Sequence, residues 1–260
     1  MSNDATLTLT GDISIANTIR VSWRGGVIRG ANSNHSLMVS NSSDIMFNNV
    51  VMDQMFGVFT GFASSSRVAF INSTIRSFQY ASFSQGQSGH TFSDFIIANC
   101  DLEGGYPSGA ESTIRWQNMT RGILVDNRVW NGGKHTFRVH INSDLIYARG
   151  NQFENTGFMS DNHPSNGGVR QADRLWLVEN VWYHRSNSGI QVASPDSNQL
   201  GPINLTASNN RYFTDNPGQF VLVSGGSPGA NWVLSDSGNG GVIEGPGSTQ
   251  PPEFDGGATH

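Results

Sequence analysis

The chain has 260 residues, a net charge of −5 and only 13% charged residues. This length fits one large all-β domain, and the acidic balance argues against general nucleic-acid binding. The 31 glycines favour turns and short strands over helices, and no apolar run is long enough to suggest a membrane partner.

The first element is an N-terminal segment, residues 1–30. It contains the strand-like runs LTLTGDISI and IRVSWRGGVIRG. Because the open edge of a stack of strands must be protected, we predict that this segment supplies the first strands and caps one end of the fold.

A repeat occupies residues 31–224, where an apolar stretch runs into an asparagine seven times. The strings end at Asn49, Asn72, Asn99, Asn127, Asn151, Asn180 and Asn209, at intervals of 23 to 29 residues. Three short strands fit into each interval, and strands of successive coils pair about 4.8 Å apart in such stacks. The period predicts an all-β, single-stranded right-handed parallel β-helix of roughly eight coils. We also predict that the asparagines form a hydrogen-bonded ladder at one corner of the coil, where they satisfy backbone groups. The whole chain, 1–260, is predicted to be a single domain.

The strands that precede each asparagine strand alternate apolar and polar residues. The inward positions include Leu37, Val39, Ile114, Trp116, Phe137 and Val139. The outward positions of the middle coils are Arg115 and Gln117, then Arg138 and His140, then Arg170, then Gln191. Arginines at a spacing of about 5 Å can bind a row of carboxylates or sulfates bidentately, so we predict binding of an acidic polysaccharide. The alternative is an ordinary solvated strand face.

Two turns next to this face carry further polar residues. Lys134 and His135 stand just before Phe137, and an insertion at residues 157–168 carries Asp161 and His163. Since long loops in repeat folds usually line the binding face, we add His135 and His163 to the substrate-binding residues Gln117, Arg170 and Gln191.

The asparagine strands also show apolar residues at positions predicted to point outward. These are Met46, Ala69, Ile96, Leu124, Ile146 and Trp176. Because a row of apolar side chains is rarely left in water, we expect either that a terminal segment covers it or that it forms an oligomer interface. The candidate oligomer is a homotrimer.

The remaining residues, 225–260, are rich in Gly, Pro and Ser, and this composition predicts an irregular tail.

The pattern resembles the pectate-lyase-type parallel β-helix superfamily over about residues 19–219, through its period, asparagine corner and basic sheet. More narrowly, ESTIRWQNMTRGILVDN and KHTFRVHINSDLIYARGNQF resemble two adjacent active-site coils of the alginate lyase and chondroitinase B family. In that family a lysine acts as base and an arginine on the next coil assists. Arg115 stands in the lysine's place and Arg138 in the arginine's. The sequence predicts no definite cofactor and no metal-ligating residue. The resemblance leaves Ca²⁺ as a candidate, with Glu111 as its nearest acidic match.

These residues predict a polysaccharide lyase, an enzyme that removes the C5 proton of a uronate and expels the 4-O substituent. The enzyme must neutralise the carboxylate and supply a base. Arg115, Arg138 and Arg170 are the carboxylate clamps, and His140 or Lys134 is the base, with His140 favoured because histidine titrates near neutrality. The catalytic set is therefore Arg115, Lys134, Arg138 and His140.

Three alternatives remain. A glycoside hydrolase needs two carboxyl groups, and Asp161 supplies at most one. A uronate C5-epimerase shares the first step of the lyase. A non-catalytic carbohydrate-binding β-helix of the phage tailspike or adhesin type needs no base. In each case we expect an extracellular or virion-associated protein.

Overall fold

The computed structural model describes residues 5–30, 35–58, 64–76, 81–84, 90–103, 112–130, 135–140, 143–154, 158–161, 174–184, 191–193, 203–214, 221–223, 232–237 and 240–241. Within these ranges every regular element is a β-strand, and all strand pairs are parallel. No helix in the described ranges is long and apolar enough to cross a membrane.

The strands form three long sheets, named A, B and C here, and one short sheet. Sheet A contains β1 (Thr6–Thr8), β4 (Val27–Arg29), β7 (Val51–Asp53), β10 (Thr74–Arg76), β13 (Asp101–Glu103), β16 (Arg128–Trp130), β19 (Gln152–Glu154), β22 (Val181–His184), β25 (Arg211–Thr214) and β28 (Gly240–Gly241). Sheet B contains β2 (Ile13–Ala16), β5 (Ser36–Ser40), β8 (Gly57–Val58), β11 (Ala81–Ser84), β14 (Ser112–Gln117), β17 (His135–His140) and β20 (Phe158–Asp161). Sheet C contains β3 (Ile19–Arg24), β6 (Ser43–Asn48), β9 (Ser65–Ile71), β12 (Phe92–Ala98), β15 (Met119–Val125), β18 (Asp144–Arg149), β21 (Arg174–Val178), β24 (Ile203–Ser208) and β27 (Trp232–Ser237). The short sheet pairs β23 (Gln191–Ala193) with β26 (Val221–Val223).

Each strand pairs with the strand three places along the chain, so every three strands complete one coil. This arrangement is a right-handed parallel β-helix, and the predicted fold class is confirmed. The coil count differs slightly from the roughly eight predicted, because β27 and β28 extend sheets C and A beyond residue 225. At the other end β1, β2 and β3 are the first strands of their sheets.

The predicted asparagine ladder is in fact two adjacent sets. Asn49, Asn72, Asn99 and Asn209 have φ between 51° and 57° and are partly or fully exposed at the corner. This left-handed conformation is one that asparagine tolerates better than most side chains. The prediction of one ladder was wrong for Asn127, Asn151 and Asn180, which stand one position later and are at most 2% exposed.

The buried set forms the continuous ladder and extends to Asn210. The backbone N–H of Asn127 donates to Asn151 Oδ1 at 3.0 Å, and that of Asn151 donates to Asn180 Oδ1 at 3.0 Å. Each side-chain amide also donates to a backbone carbonyl, as Asn151 Nδ2 does to Leu124 at 2.8 Å. Cys100 holds the same position one coil before Asn127. Its backbone N–H donates to Asn127 Oδ1, its Sγ accepts from the Ser73 backbone N–H at 3.4 Å, and burial raises the pKa of its thiol to about 11.

Aromatic rings form a spine through the core. Ring centroids lie 4.1–6.5 Å apart along Trp23, Phe47, Phe70, Phe95, Trp116, Phe137, Phe153 and Trp182. The offset-stacked and edge-on contacts in this series stabilise the stack beyond the burial of apolar area. The spine links all three sheets, so it fixes the position of sheet B relative to the rest of the coil.

A ladder of alternating charges runs along one margin of sheet C. Arg20, Asp44, Arg67, Asp94 and Arg121 stand at the same bulged position of successive strands, each with positive φ. Arg67 donates to Asp44 at 2.6 and 2.9 Å, and Arg121 donates to Asp94 at 2.5 and 2.8 Å. These bidentate bonds hold the pKa of both carboxyl groups below the usual value of 3.8.

Candidate functional site

The sheet B site consists of the outer positions of β14 and β17. Arg115 is the register partner of Arg138, and Gln117 is the register partner of His140. Between them, Ile114, Trp116, Phe137 and Val139 are fully buried, as predicted. Because side chains alternate along a strand, Arg115 and Arg138 lie side by side on the face opposite the core.

The polar side chains of the sheet B site are more covered than the sequence suggested. Arg138 is 8% exposed, Gln117 is 7% exposed and Arg115 is partly exposed. An Arg115 Nη2 atom donates to Gln117 Oε1 at 3.5 Å, which orients the guanidinium group along the strand. Partial burial lowers the local dielectric constant and therefore strengthens attraction to an anion.

The core beneath the sheet B site is tightly packed around Trp116 and Gly122. The indole ring of Trp116 packs where residue 122 has no side chain: a Cβ atom on Gly122 would lie 2.7 Å from the ring. Trp116 also contacts Phe137 edge-on, with centroids 5.1 Å apart. The residues beneath Arg115 and Arg138 are thus fixed by packing, which holds the two strands in register.

The third coil of the predicted cationic row needs correction. The strand beside β17 is β20, where Met159 is the register partner of Arg138 and Asp161 that of His140. The position predicted for Arg170 is therefore held by Met159, and the row contains two cations in sequence. β20 was missed because FMSD lacks the alternation of apolar and polar residues that marks the other strands.

The other predicted site residues are placed unevenly. His135 lies in β17 with Ser112 as its register partner, and Gln191 lies in β23 with Val221 as its partner. Lys134, His163 and Arg170 lie outside the described residues, as does Glu111. Within the described ranges, no three His, Cys, Asp or Glu side chains come close enough to hold a metal ion.

The outer face of sheet C also needs correction. Leu124 and Ile146 are fully buried in the core, whereas Ile123 and Tyr147 take the outward positions. Met46, Ala69, Ile96 and Trp176 are partly exposed, as predicted. The register joins the six outward residues into one continuous row: Met46, Ala69, Ile96, Ile123, Tyr147 and Trp176.

Comparison with known proteins supports the fold alone. No protein-family model matches the chain, and no curated protein matches it. One solved structure is similar: PfbA, a surface adhesin of Streptococcus pneumoniae, with a TM-score of 0.56 and 12% sequence identity. The alignment covers 90% of this chain and 68% of that one.

Proposed function

We propose that the protein binds an acidic polysaccharide across the sheet B site and cleaves it by β-elimination. The observation that carries this proposal is the register pairing of Arg115 with Arg138 on adjacent coils. Guanidinium groups carried by strands about 4.8 Å apart suit neighbouring anionic groups on one extended sugar chain. Their partial burial makes each contact with a carboxylate or sulfate stronger than a solvated ion pair.

The proposed elimination assigns one role to each part of the site. Arg115 and Arg138 each bind a carboxylate of the sugar chain, and the arginine at the uronate that is cleaved stabilises the charge that develops when the C5 proton leaves. His140, the register partner of Gln117, is the proposed base, and Lys134 is the alternative base. The proton passes from C5 to the base, the electron pair of the C5–H bond forms the C4–C5 double bond, and the C4–O bond breaks. The 4-O substituent departs as an alkoxide that takes a proton from water.

A non-catalytic role as a surface carbohydrate-binding β-helix is the second candidate. It is favoured by the similarity in fold to a surface adhesin, and it requires only the two arginines. Both candidates place the protein outside the cell or on a virion. They differ in whether bound polysaccharide is cut.

The binding part of the proposal is tested with alginate, polygalacturonate, chondroitin sulfate and neutral dextran in native affinity gels. We expect retardation by at least one acidic polymer, weakened about tenfold or more in Arg115→Gln and in Arg138→Gln, since each loses a charge-assisted hydrogen bond. Arg24→Gln is the matched control, because Arg24 is exposed on sheet C. Thermal unfolding of each variant shows whether the fold survives. Equal retardation of wild type and both sheet B variants would contradict the proposal.

The catalytic part is tested on whichever polymer binds, by the ultraviolet absorbance of the unsaturated product. We expect the absorbance to rise with wild type and to stay flat with His140→Gln. If His140→Gln remains fully active, Lys134→Gln tests the alternative base. Binding with no rise in absorbance favours the adhesin-type role, and C5 deuterium exchange without chain scission would indicate an epimerase.

A further inference from the structure

The outer face of sheet C carries an apolar strip that the sheet B site does not use. One row of this sheet C strip is Met46, Ala69, Ile96, Ile123, Tyr147 and Trp176. A second row, two residues further along the strands, is Ile71, Ala98 and Val125, after which Arg149 separates Val125 from Val178. All ten apolar side chains are partly exposed.

The dimensions of the strip suit a linear partner. Six coils at about 4.8 Å per step give a length of roughly 24 Å, and two rows lie about 7 Å apart. The resulting area, on the order of 250 Å², is far below the roughly 800 Å² that each partner buries in a stable protein interface. The charge ladder of Asp44, Arg67, Asp94 and Arg121 bounds one margin and prevents the apolar area from widening.

Two aromatic residues stand together at one end of the strip. Tyr147 and Trp176 are register partners on β18 and β21, and both are partly exposed. The ion pair of Arg174 with Asp144 lies on one side of them, and the pair of Arg149 with Glu179, at 2.8 Å, lies on the other. Each pair is neutral as a whole yet offers hydrogen-bonding groups.

This combination selects a class of ligand. The C–H face of a sugar ring packs on an aromatic ring, while its hydroxyl groups bond to carboxylate and guanidinium groups at the edge. The absence of net charge across the two ion pairs favours a neutral sugar over a uronate. The step between coils is close to the length of one sugar unit in an extended chain.

We propose that the sheet C strip binds a neutral polysaccharide chain lying along the stack, anchored on Tyr147 and Trp176. The site is separate from the sheet B site and does not depend on the proposed cleavage. The test uses the full chain in native gels that contain hydroxyethyl cellulose, arabinoxylan, galactomannan or dextran. Threonine is the chosen substitution, because Thr206 is the register partner of Trp176 in the next coil.

At least one of the four polymers should retard the wild type, and Tyr147→Thr and Trp176→Thr should each weaken that binding about tenfold. Trp130→Thr, which removes a partly exposed tryptophan from sheet A, should leave it unchanged. Arg138→Gln should also leave it unchanged, which keeps the result independent of the sheet B site. The double variant carries both Tyr147→Thr and Trp176→Thr. Retardation of the wild type by none of the four polymers, or retardation of the double variant equal to that of the wild type, would overturn the proposal. So would light scattering that gives a multiple of 28.1 kDa for wild type and a single chain for the double variant, since the strip would then join copies of the chain.

Discussion

At the scale of single residues, asparagine performs two different tasks at one corner of the coil. Asn49, Asn72 and Asn99 supply a left-handed backbone turn, and a residue with another side chain can do the same, as Asp126 does with φ of 54°. Asn151 uses its buried side chain to accept a backbone N–H and to donate to a backbone carbonyl of neighbouring coils, whereas the side-chain bonds of Asn72 to Asn48 and Asn99 are exposed. Only in the second task does the amide group satisfy buried backbone groups.

Replacing Asn151 by alanine should therefore destabilise the protein strongly. The change removes the acceptor of the Asn127 backbone N–H and the donor to the Leu124 carbonyl, both of which are buried. We expect a loss of about 3 kcal/mol in the free energy of unfolding, measured in urea, because each unsatisfied buried group costs about 1–3 kcal/mol. Asn99→Gly is the control and should cost less than about 1 kcal/mol, since Gly150 holds the equivalent turn with φ of 66°. Equal losses in the two variants would show that the ladder has no special role.

The repeat period of this corner is visible in the sequence, but which of two adjacent residues is buried there is not. Both sets of asparagines follow an apolar strand, and the two sets differ by one residue, which lies within the variation of the intervals. The predicted outward row was one residue out in two strands, with Leu124 in place of Ile123 and Ile146 in place of Tyr147, and a shift of one residue reverses the face of a strand. In sheet B the alternation around Arg115 and Arg138 is strict, so that register was predicted correctly.

At the scale of elements, the bulged margin of sheet C is stabilised by charge. Asp44 and Asp94 each lie between arginines of the neighbouring coils, and their pKa values are lowered chiefly by the bonds from Arg67 and Arg121. Asp144 has its pKa lowered in the same way by Arg174. The signal for this ladder was present in the sequence as opposite charges that alternate at the coil period.

The charge ladder predicts a loss of stability in acid. A carboxyl group whose pKa is lower in the folded state stabilises that state above its unfolded pKa, and this contribution disappears as the pH falls through the folded pKa. The melting temperature should therefore fall as the pH drops below about 4, and fall less steeply in Asp94→Asn, which has no such proton to gain. Asp126→Asn is the matched control for the loss of one carboxyl group outside the charge ladder, because asparagine stands at the same corner position in Asn99. A slope in Asp94→Asn as steep as that of the wild type would exclude the ladder as the cause.

At the scale of the whole molecule, stability depends on contacts between neighbouring coils. The aromatic spine joins successive coils from Trp23 to Trp182, and the asparagine ladder joins those from Asn127 to Asn210, so the middle of the stack is supported on two sides. In the described part of the chain, β1, β2 and β3 pair with a neighbouring strand on one side only. All three residues of β1 are exposed, and Ile19 at the start of β3 is 69% exposed, whereas Phe95 and Ile97 in β12 are at most 1% exposed.

Amide hydrogen exchange, followed by mass spectrometry, should reveal a gradient along the stack. We expect the fastest exchange in β1 to β3 and the slowest in β9, β12 and β15, because an end coil can open without breaking contacts on a second side. In Asn151→Ala, exchange should accelerate most in β15, β18 and β21, which flank the lost ladder contact, and least in β6. Mobile side chains cannot mimic this pattern, since exchange reports on backbone hydrogen bonds. Uniform acceleration of all strands would mean that the stack opens as one cooperative unit, and the nearest-neighbour account of its stability would then be wrong.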